Sequence, residues 1–450
     1  MRQTPNWAGF SKLSREERFQ YLESLGALTP DEARYLKSGG LKDMGLAEKF
    51  VENVIGYFQV PLGVATNFVI DGQDYVIPMA VEETSIIAAA SKTAKWVREN
   101  GTLRTESMGT QIIGQIQLAS VADFSRFEQT VMAGKAELIA SANRDVAHGL
   151  VARGGGVEDL QVRRLVRPDG QTMAVIHVYV DPCDAMGANI INQVCEYLKH
   201  PLELLTGESV TMCILSNLVD SKLTRATVEL RGIDAELGMK IQEASLFAEL
   251  DPYRAATNNK GVLNGIDPIL IATGNDWRAV EAGIHAYAAR SGQYRSITRW
   301  SYADGLLTGV FEAPIVVGTV GGVTRLHPTA QLCLRMLDIE SAAELSRICA
   351  AVGLVQNLGA LKALTTVGII EGHMKLHIRN LTIGAGASEP EVPLLQKRLE
   401  EILKLTKRIS LQNAVEVLRE IRAAKVPLGV APTAAKPAAV PQNSMLQNSL

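Results

Sequence analysis

The spacing of apolar and polar positions divides the chain into distinct rhythms. Residues 11–60 carry helical spacing. Ser14 to Glu17 and Thr29 to Glu32 are each a capping box. In the second, Pro30 takes the first helical position, where a missing N–H costs nothing. Pro61-Leu62-Gly63 ends this rhythm, and residues 66–80 alternate around Asp71-Gly72, a hairpin signal. Ile86 to Ser91 is apolar on most faces, which predicts a buried helix entered past Glu82 and Glu83.

Residues 109–219 change period. Strands are predicted over 110–118, 160–167, 172–181 and 211–218, and helices over 122–148 and 188–205. The order β-α-β-β-α-β is the ferredoxin-like pattern. The larger domain then resumes, with strands predicted over 223–230 and 315–320. A long helix follows over 329–352, and the pair Gln356-Asn357 is read as an interruption. After Val426 the chain turns to Ala, Pro, Gln, Asn and Ser, which cannot bury a core and predict disorder. The expected fold class is α+β. A large mixed helical domain with a buried central helix takes residues 1–108 and 220–367. The ferredoxin-like unit is inserted at 109–219, a small helical flap follows at 368–425, and a tail at 426–450.

Composition narrows the function. Hydrophobic residues make up 47% of 450, and the net charge of −3 leaves no basic footprint for nucleic acid. No run is read as approaching the ~20 apolar residues that cross a membrane. Met1 to Gly9 lacks a signal-peptide core. Cys183, Cys195, Cys213, Cys333 and Cys349 form no C-x-x-C pair. They are expected to be reduced thiols of a cytoplasmic protein.

Four stretches carry candidate chemistry. In Arg254 to Asp276, the run Ile269 to Ala272 reads as a strand leading to the turn Gly274-Asn275-Asp276. From that turn, Asp276 can point back at Lys260. A lysine held beside a carboxylate stays protonated and can stabilise an oxyanion. The alternative is a surface lysine and a turn aspartate. Glu83 is either a carboxyl raised in pKa by burial, fit to move a proton, or favourable charge at a helix N-terminus. Asp184 to Asn189 joins a strand to a helix N-terminus, where small residues admit a ligand and free N–H groups favour phosphate. A tight turn is the plainer reading. Neither this stretch nor Gly154-Gly155-Gly156 makes G-x-G-x-x-G, and no Walker motif occurs. His373 and His377 stand four apart, but Met374 replaces the glutamate of H-E-x-x-H, so no metal is expected. His373, just after a glycine, suits a mobile acid or base.

Taken together these pieces resemble the 3-hydroxy-3-methylglutaryl-coenzyme A reductases of the soluble bacterial type, class II. The matching runs are E-N-V-I-G at 52–56, E-E-T-S at 82–85, D-A-M-G-A-N at 184–189 and D-P-Y-R-A-A-T-N-N-K-G at 251–261. They continue with N-G-I-D-P at 264–268, A-T-G-N-D at 272–276 and G-H-M-x-L-H at 372–377. The resemblance implies catalytic roles for Glu83, Lys260, Asp276 and His373. Lys260 would stabilise the oxyanion, Glu83 exchange a proton, Asp276 bridge and tune the two, and His373 protonate the coenzyme A thiolate. It implies hydroxymethylglutaryl contacts from Ser85, Arg254, Asn264 and Asn357. It also implies a nicotinamide cofactor on the inserted unit at Asp184, Met186, Gly187 and Asn189. Asp145 lies near where NAD-using members carry an aspartate, so NAD is expected, without metal. Implied small molecules are mevalonate, hydroxymethylglutaryl-CoA and coenzyme A, in the degradative direction, on a homodimer or multiple of dimers with the site between subunits. The alternatives are the NADPH-linked biosynthetic direction, or a non-catalytic acyl-CoA- or nucleotide-binding protein. Asn258 departs from the family, many members having His there.

Overall fold

The computed structural model describes residues 4–366, 378, 380–406 and 408–424. Its helices are α1 (Arg15–Ser24), α2 (Pro30–Lys37), α3 (Met44–Ala47), α4 (Ile86–Asn100), α5 (Phe124–Asp145), α6 (His148–Val151) and α7 (Ala188–Thr206). They continue with α8 (Ala235–Leu250), α9 (Pro252–Ala272), α10 (Trp277–Ala288), α11 (Gly322–Leu326), α12 (Pro328–Leu337), α13 (Ala342–Thr365), α14 (Val392–Thr406) and α15 (Leu411–Ala424). The strands are β1 (Leu62–Ile70), β2 (Gln73–Ala80), β3 (Gly101–Met108), β4 (Ile112–Leu118), β5 (Gly156–Val166), β6 (Thr172–Asp181), β7 (Met212–Leu215), β8 (Leu223–Arg231), β9 (Thr298–Ala303) and β10 (Leu306–Pro314).

Both capping boxes form: the Ser14 and Thr29 side chains accept from the backbone of Glu17 and Glu32, and each glutamate reaches back. The hairpin at Asp71-Gly72 pairs β1 with β2. Between β3 and β8 the chain builds a separate antiparallel sheet of order β5-β6-β4-β7, with α5 and α7 on one face and an apolar core of its own. That order is the ferredoxin-like one. The second four-stranded sheet, β3-β8-β10-β9, packs beside α4, α8, α9 and α13 around the largest core. Helices α14 and α15 belong to a second compact unit, residues 370–450, closed by Leu395, Leu399, Ala414 and Leu418.

The structure corrects several expectations. Ile269 to Ala272 is the last turn of α9, not a strand. Its neighbours are buried on a helical period, and burial overrides the β-branched preference of a short run. Ile315 to Val320 lies outside β10, which ends at Pro314, and forms no ladder of its own, with Val320 making an isolated bridge to Ala185. Gln356 and Asn357 lie inside α13 rather than breaking it, whereas the predicted helix over 329–352 breaks at Asp338, whose φ is 58°. The helical N-terminal stretch ends at Ala47. The run after Ser85 buries only one face: Ile86, Ala90 and Ala94 face inward while Ala88 is exposed. The buried central helix is instead α13, packed on α9. Gly265 and Gly353 let the two backbones close. A Cβ on Gly265 would sit 2.9 Å from the Val352 carbonyl oxygen, and one on Gly353 2.9 Å from Ile266. Contrary to the expectation that no run is apolar enough, Ala342–Thr365 could span a membrane by length and composition, with mean hydropathy 1.4. Here 67% of that window is buried inside the protein. Cys195, Cys333 and Cys349 are buried thiols, while Cys183 and Cys213 are only half-buried.

Candidate active site

Helix α9 presents a polar line. Asp251 caps it, accepting from the N–H groups of Tyr253 and Arg254, with Pro252 in the first turn. Lys260, Asn264 and Asp267 follow at i, i+4 and i+7, on one face. Lys260 Nζ donates to Glu83 Oε2 at 3.4 Å. The expected Lys260–Asp276 pair is absent among the described residues. Twelve residues of helix separate Lys260 from Ala272, a rise of roughly 18 Å at 1.5 Å each, and Asp276 lies beyond that end. Its carboxylate caps α10 instead, accepting from the N–H groups of Arg278 at 3.1 Å and Ala279 at 3.2 Å.

Glu83 is held at the entrance of α4 by an unusual backbone. Ser85 has φ 80° and ψ −20°, a left-handed conformation that a non-glycine residue adopts at a cost. The Ser85 hydroxyl is buried with no hydrogen-bond partner among the described residues. Glu82 and Glu83 are exposed, so the buried carboxyl expected at this entrance is not found there. Arg254 is half-buried, and desolvation lowers its pKa without an acidic group to compensate. Asn357 is 1% exposed, accepts from Trp300 Nε1 and donates to Asn258 Oδ1.

A second cluster gathers around Asp276. Asn275 Oδ1 accepts the Gly318 N–H at 2.8 Å, and the Thr319 N–H donates to the Asp184 carbonyl at 2.9 Å. Val320 bridges Ala185 in parallel. The segment 315–320 thus sits between the turn that holds Asp276 and the loop 184–187. Gly187, with φ 93°, opens α7 without any side-chain cap, leaving the first N–H groups of that helix free of one. Met186, Ala188, Ile112, Ser216, Asn217 and Ala279 line a shallow, open hollow between this loop and α10. The Asp184 carboxylate is already engaged, accepting the Ala342 N–H at 2.9 Å. Asn189 is exposed on the first turn of α7.

Asp145, at the end of α5, accepts from the Tyr197 hydroxyl at 2.6 Å and from Arg144 Nε at 2.9 Å. Those two bonds, Tyr197 first, hold its carboxyl below the usual range. His373 and His377 lie outside the described residues.

Two residues escaped the sequence reading. Asp267 has a buried Oδ1 without a partner, and its pKa is pushed up by burial and by Glu281 across the α9–α10 contact. The signal for Asp267 is its helical spacing from Lys260, which a strand reading of 269–272 hides, whereas Glu281 meets it only through the α9–α10 contact. The segment 315–320, expected as a strand, reaches the Asp276 turn through the Gly318 N–H, a contact with no local sequence signal. Among the described residues no group of three metal-ligating side chains occurs.

The hydroxymethylglutaryl-coenzyme A reductase profile matches residues 14–378. A 3-hydroxy-3-methylglutaryl-coenzyme A reductase of Archaeoglobus fulgidus is 43% identical over 420 residues, covering 92% of this chain and 94% of that one. A probable enzyme of the same name from Borreliella burgdorferi is 34% identical over 340 residues, covering 74% and 77%. The solved reductase of Streptococcus pneumoniae superposes with a TM-score of 0.79 at 38% identity, covering 93% of this chain and all of that one. Another structure from that organism, a class II enzyme described as bound to NADPH in open conformations, gives 0.78 at 38% identity, covering 80% and 100%. An α+β chain with this site and these relatives is an oxidoreductase of the reductase class. The chain belongs to the hydroxymethylglutaryl-coenzyme A reductase family, in its class II, bacterial-type branch.

Proposed function

We propose that the chain interconverts mevalonate, coenzyme A and two NAD⁺ with hydroxymethylglutaryl-CoA and two NADH, through hemithioacetal and mevaldehyde intermediates, in the degradative direction. The observation that carries this reading is the Lys260–Glu83 pair beside the unpartnered hydroxyl of Ser85. An ammonium beside a carboxyl group can hold the reacting oxygen and exchange its proton, and a buried orphan hydroxyl is satisfied when a substrate oxygen meets it. Lys260 would stabilise the oxyanion of thioester and aldehyde, Glu83 would pass the alkoxide proton, and His373 would protonate the departing thiolate. Arg254, without an acidic partner among the described residues, and Asn264 would hold the hydroxymethylglutaryl carboxylate and hydroxyl. Asn357 is assigned no contact of its own and would act through Trp300 and Asn258.

The loop 184–187 and the uncapped start of α7 suit a dinucleotide pyrophosphate. Met186, Gly187 and Asn189 would hold that group, and Asp184 would fix the loop through Ala342. When bound, the nicotinamide supplies or accepts hydride. Asp145, kept ionised by Tyr197 and Arg144, would hold a ribose 2′-OH and repel a 2′-phosphate, which supports NAD. The NADPH-linked biosynthetic direction is the second reading. It is favoured by the guanidinium of Arg144 at the same spot and by the NADPH of the Streptococcus pneumoniae relative.

We further infer a homodimer with the site between subunits. Within one chain Lys260 sits mid-way along α9 and Asp276 lies beyond its C-terminal end, so Asp276 would reach the Lys260–Glu83 pair only from a second copy. Met239, Phe247 and Leu250 on α8, with Tyr253 just beyond it, are exposed and apolar, as such an interface requires. The C-terminal unit would serve as the flap that carries His373 and closes over coenzyme A.

The test follows reduced-nicotinamide absorbance with mevalonate, coenzyme A and either oxidised cofactor, in the parent chain and in Asp145→Ala. Turnover favouring NAD, with the variant gaining on NADP, supports this reading. No turnover with either cofactor overturns the activity, and a lower KM for NADP⁺ than NAD⁺ in the parent overturns the cofactor choice.

A further inference from the structure

The buried acid of this site is Asp267. It lies on the Lys260 face of α9, two turns toward the C-terminus. Its Oδ1 is buried and accepts no hydrogen bond, although an ionised carboxylate would demand several. The groups acting on it are Glu281, which approaches from α10, and Lys260 on its own helix. From α13 the Cys349 thiol faces it, fully buried and itself pushed far up by burial. Two carboxyl groups so close in a desolvated pocket cannot both be ionised without a large penalty. Lys260 is within electrostatic reach of Asp267 but ion-paired to Glu83.

We propose that Asp267 and Glu281 share a single proton and together act as a positioning pair for Lys260. They present one negative charge rather than two behind the ammonium, so that it stays directed at Glu83 and the substrate oxygen. This rests on the role given to Lys260 above. The charge bookkeeping is simple. With the proton on Asp267, the pair carries one negative charge and Lys260 one positive. When Asp267 gives its proton to water, a second negative charge appears on the same helix face. It then competes with Glu83 for the Lys260 ammonium. Burial and Glu281 push Asp267 up to about 8, so this competition begins just above neutral pH.

The experiment compares the full-length parent with Asp267→Asn and Glu281→Gln, in two measurements. The first is the pH profile of kcat and KM. The parent should lose kcat on the alkaline side. One pH unit above the controlling pKa, about one-tenth of a titrating carboxyl remains protonated, so the loss there should approach tenfold. Asp267→Asn should keep its kcat in that range with KM little changed, and Glu281→Gln should shift the limb. The second measurement, independent of activity, is the infrared band of a protonated carboxylic acid at neutral pH, present in the parent and absent from Asp267→Asn. An alkaline limb identical in parent and Asp267→Asn, or a band that persists in the variant, overturns the pair. A folded Asp267→Asn chain inactive at every pH with the band gone overturns the positioning role in favour of direct chemistry. A parent without reductase turnover defeats the functional reading instead, while the band still reports on the proton.

Discussion

The indole N–H of Trp300 donates to Oδ1 of Asn357 at 2.8 Å, deep between β9 and α13. The amide nitrogen of Asn357 passes the chain on to Asn258 Oδ1 at 2.9 Å. Asn258 in turn donates to the hydroxyls of Ser296 at 2.8 Å and Thr298 at 3.1 Å. Asn357→Ala would strand the indole N–H and the Asn258 oxygen in a dry interior, each costing about 1–3 kcal/mol. The expected outcome is a lower denaturant midpoint with unchanged slope. Unaltered stability together with a raised substrate KM would return Asn357 to the substrate pocket.

Lys260→Ala removes one oxyanion donor, a loss worth roughly 2.7–4 kcal/mol of barrier. Turnover should fall by two to three orders of magnitude in proportion to that barrier. The side chains of Lys260 and Glu83 are 64% and 45% exposed, so their pairing adds little to stability. Circular dichroism melting of the variant should therefore match the parent. Parent-like turnover in a folded variant contradicts the assignment.

Ser85 separates backbone from chemistry. Ser85→Gly relieves the left-handed backbone, a strain of roughly 1–2 kcal/mol, and also deletes the hydroxyl. Ser85→Ala deletes the hydroxyl alone. Both should raise KM for the hydroxymethylglutaryl substrate, while only the glycine variant should melt higher. Equal KM in parent and alanine variant would leave the orphan hydroxyl without its substrate.

Asp267 also sets a pH dependence of folding. Its pKa is raised in the folded chain, so the folded state keeps a proton that the unfolded state releases. Its contribution to stability is full below the ordinary carboxylate range and is lost as pH rises through about 8. Denaturant midpoints of the parent should fall across that window. Asp267→Asn should flatten the fall, and parallel curves would show that this carboxyl does not titrate there.

The local devices were readable in the sequence. Capping boxes at Ser14 and Thr29, and the turn at Asp71-Gly72, depend on residues a few positions apart. So does the ferredoxin-like order, because its strands and helices are long and regularly spaced. What could not be read was set by tertiary packing. Ile269 to Ala272 has strand-like composition, yet tertiary packing holds it as the last turn of α9, and that reversal carries Asp276 away from Lys260. Likewise Gly318 reaches Asn275 across more than forty residues of chain, a contact no local pattern announces. Asp267 is set apart only by Glu281, brought to it from a second helix.

The ferredoxin-like sheet leaves and rejoins the larger body through one doorway. Met108 ends β3 opposite Leu223, which begins β8, and the two strands are hydrogen-bonded neighbours. Gly109, with φ 76°, passes so close to the Ser221 carbonyl that any larger residue would collide with it. More than a hundred residues are therefore hung from a gap that a tight hairpin turn could span. Such an arrangement makes the hanging part a cassette: grafting a homologous sheet of different dinucleotide taste between positions 108 and 223 should leave the β3–β8 ladder, and the core beneath it, undisturbed.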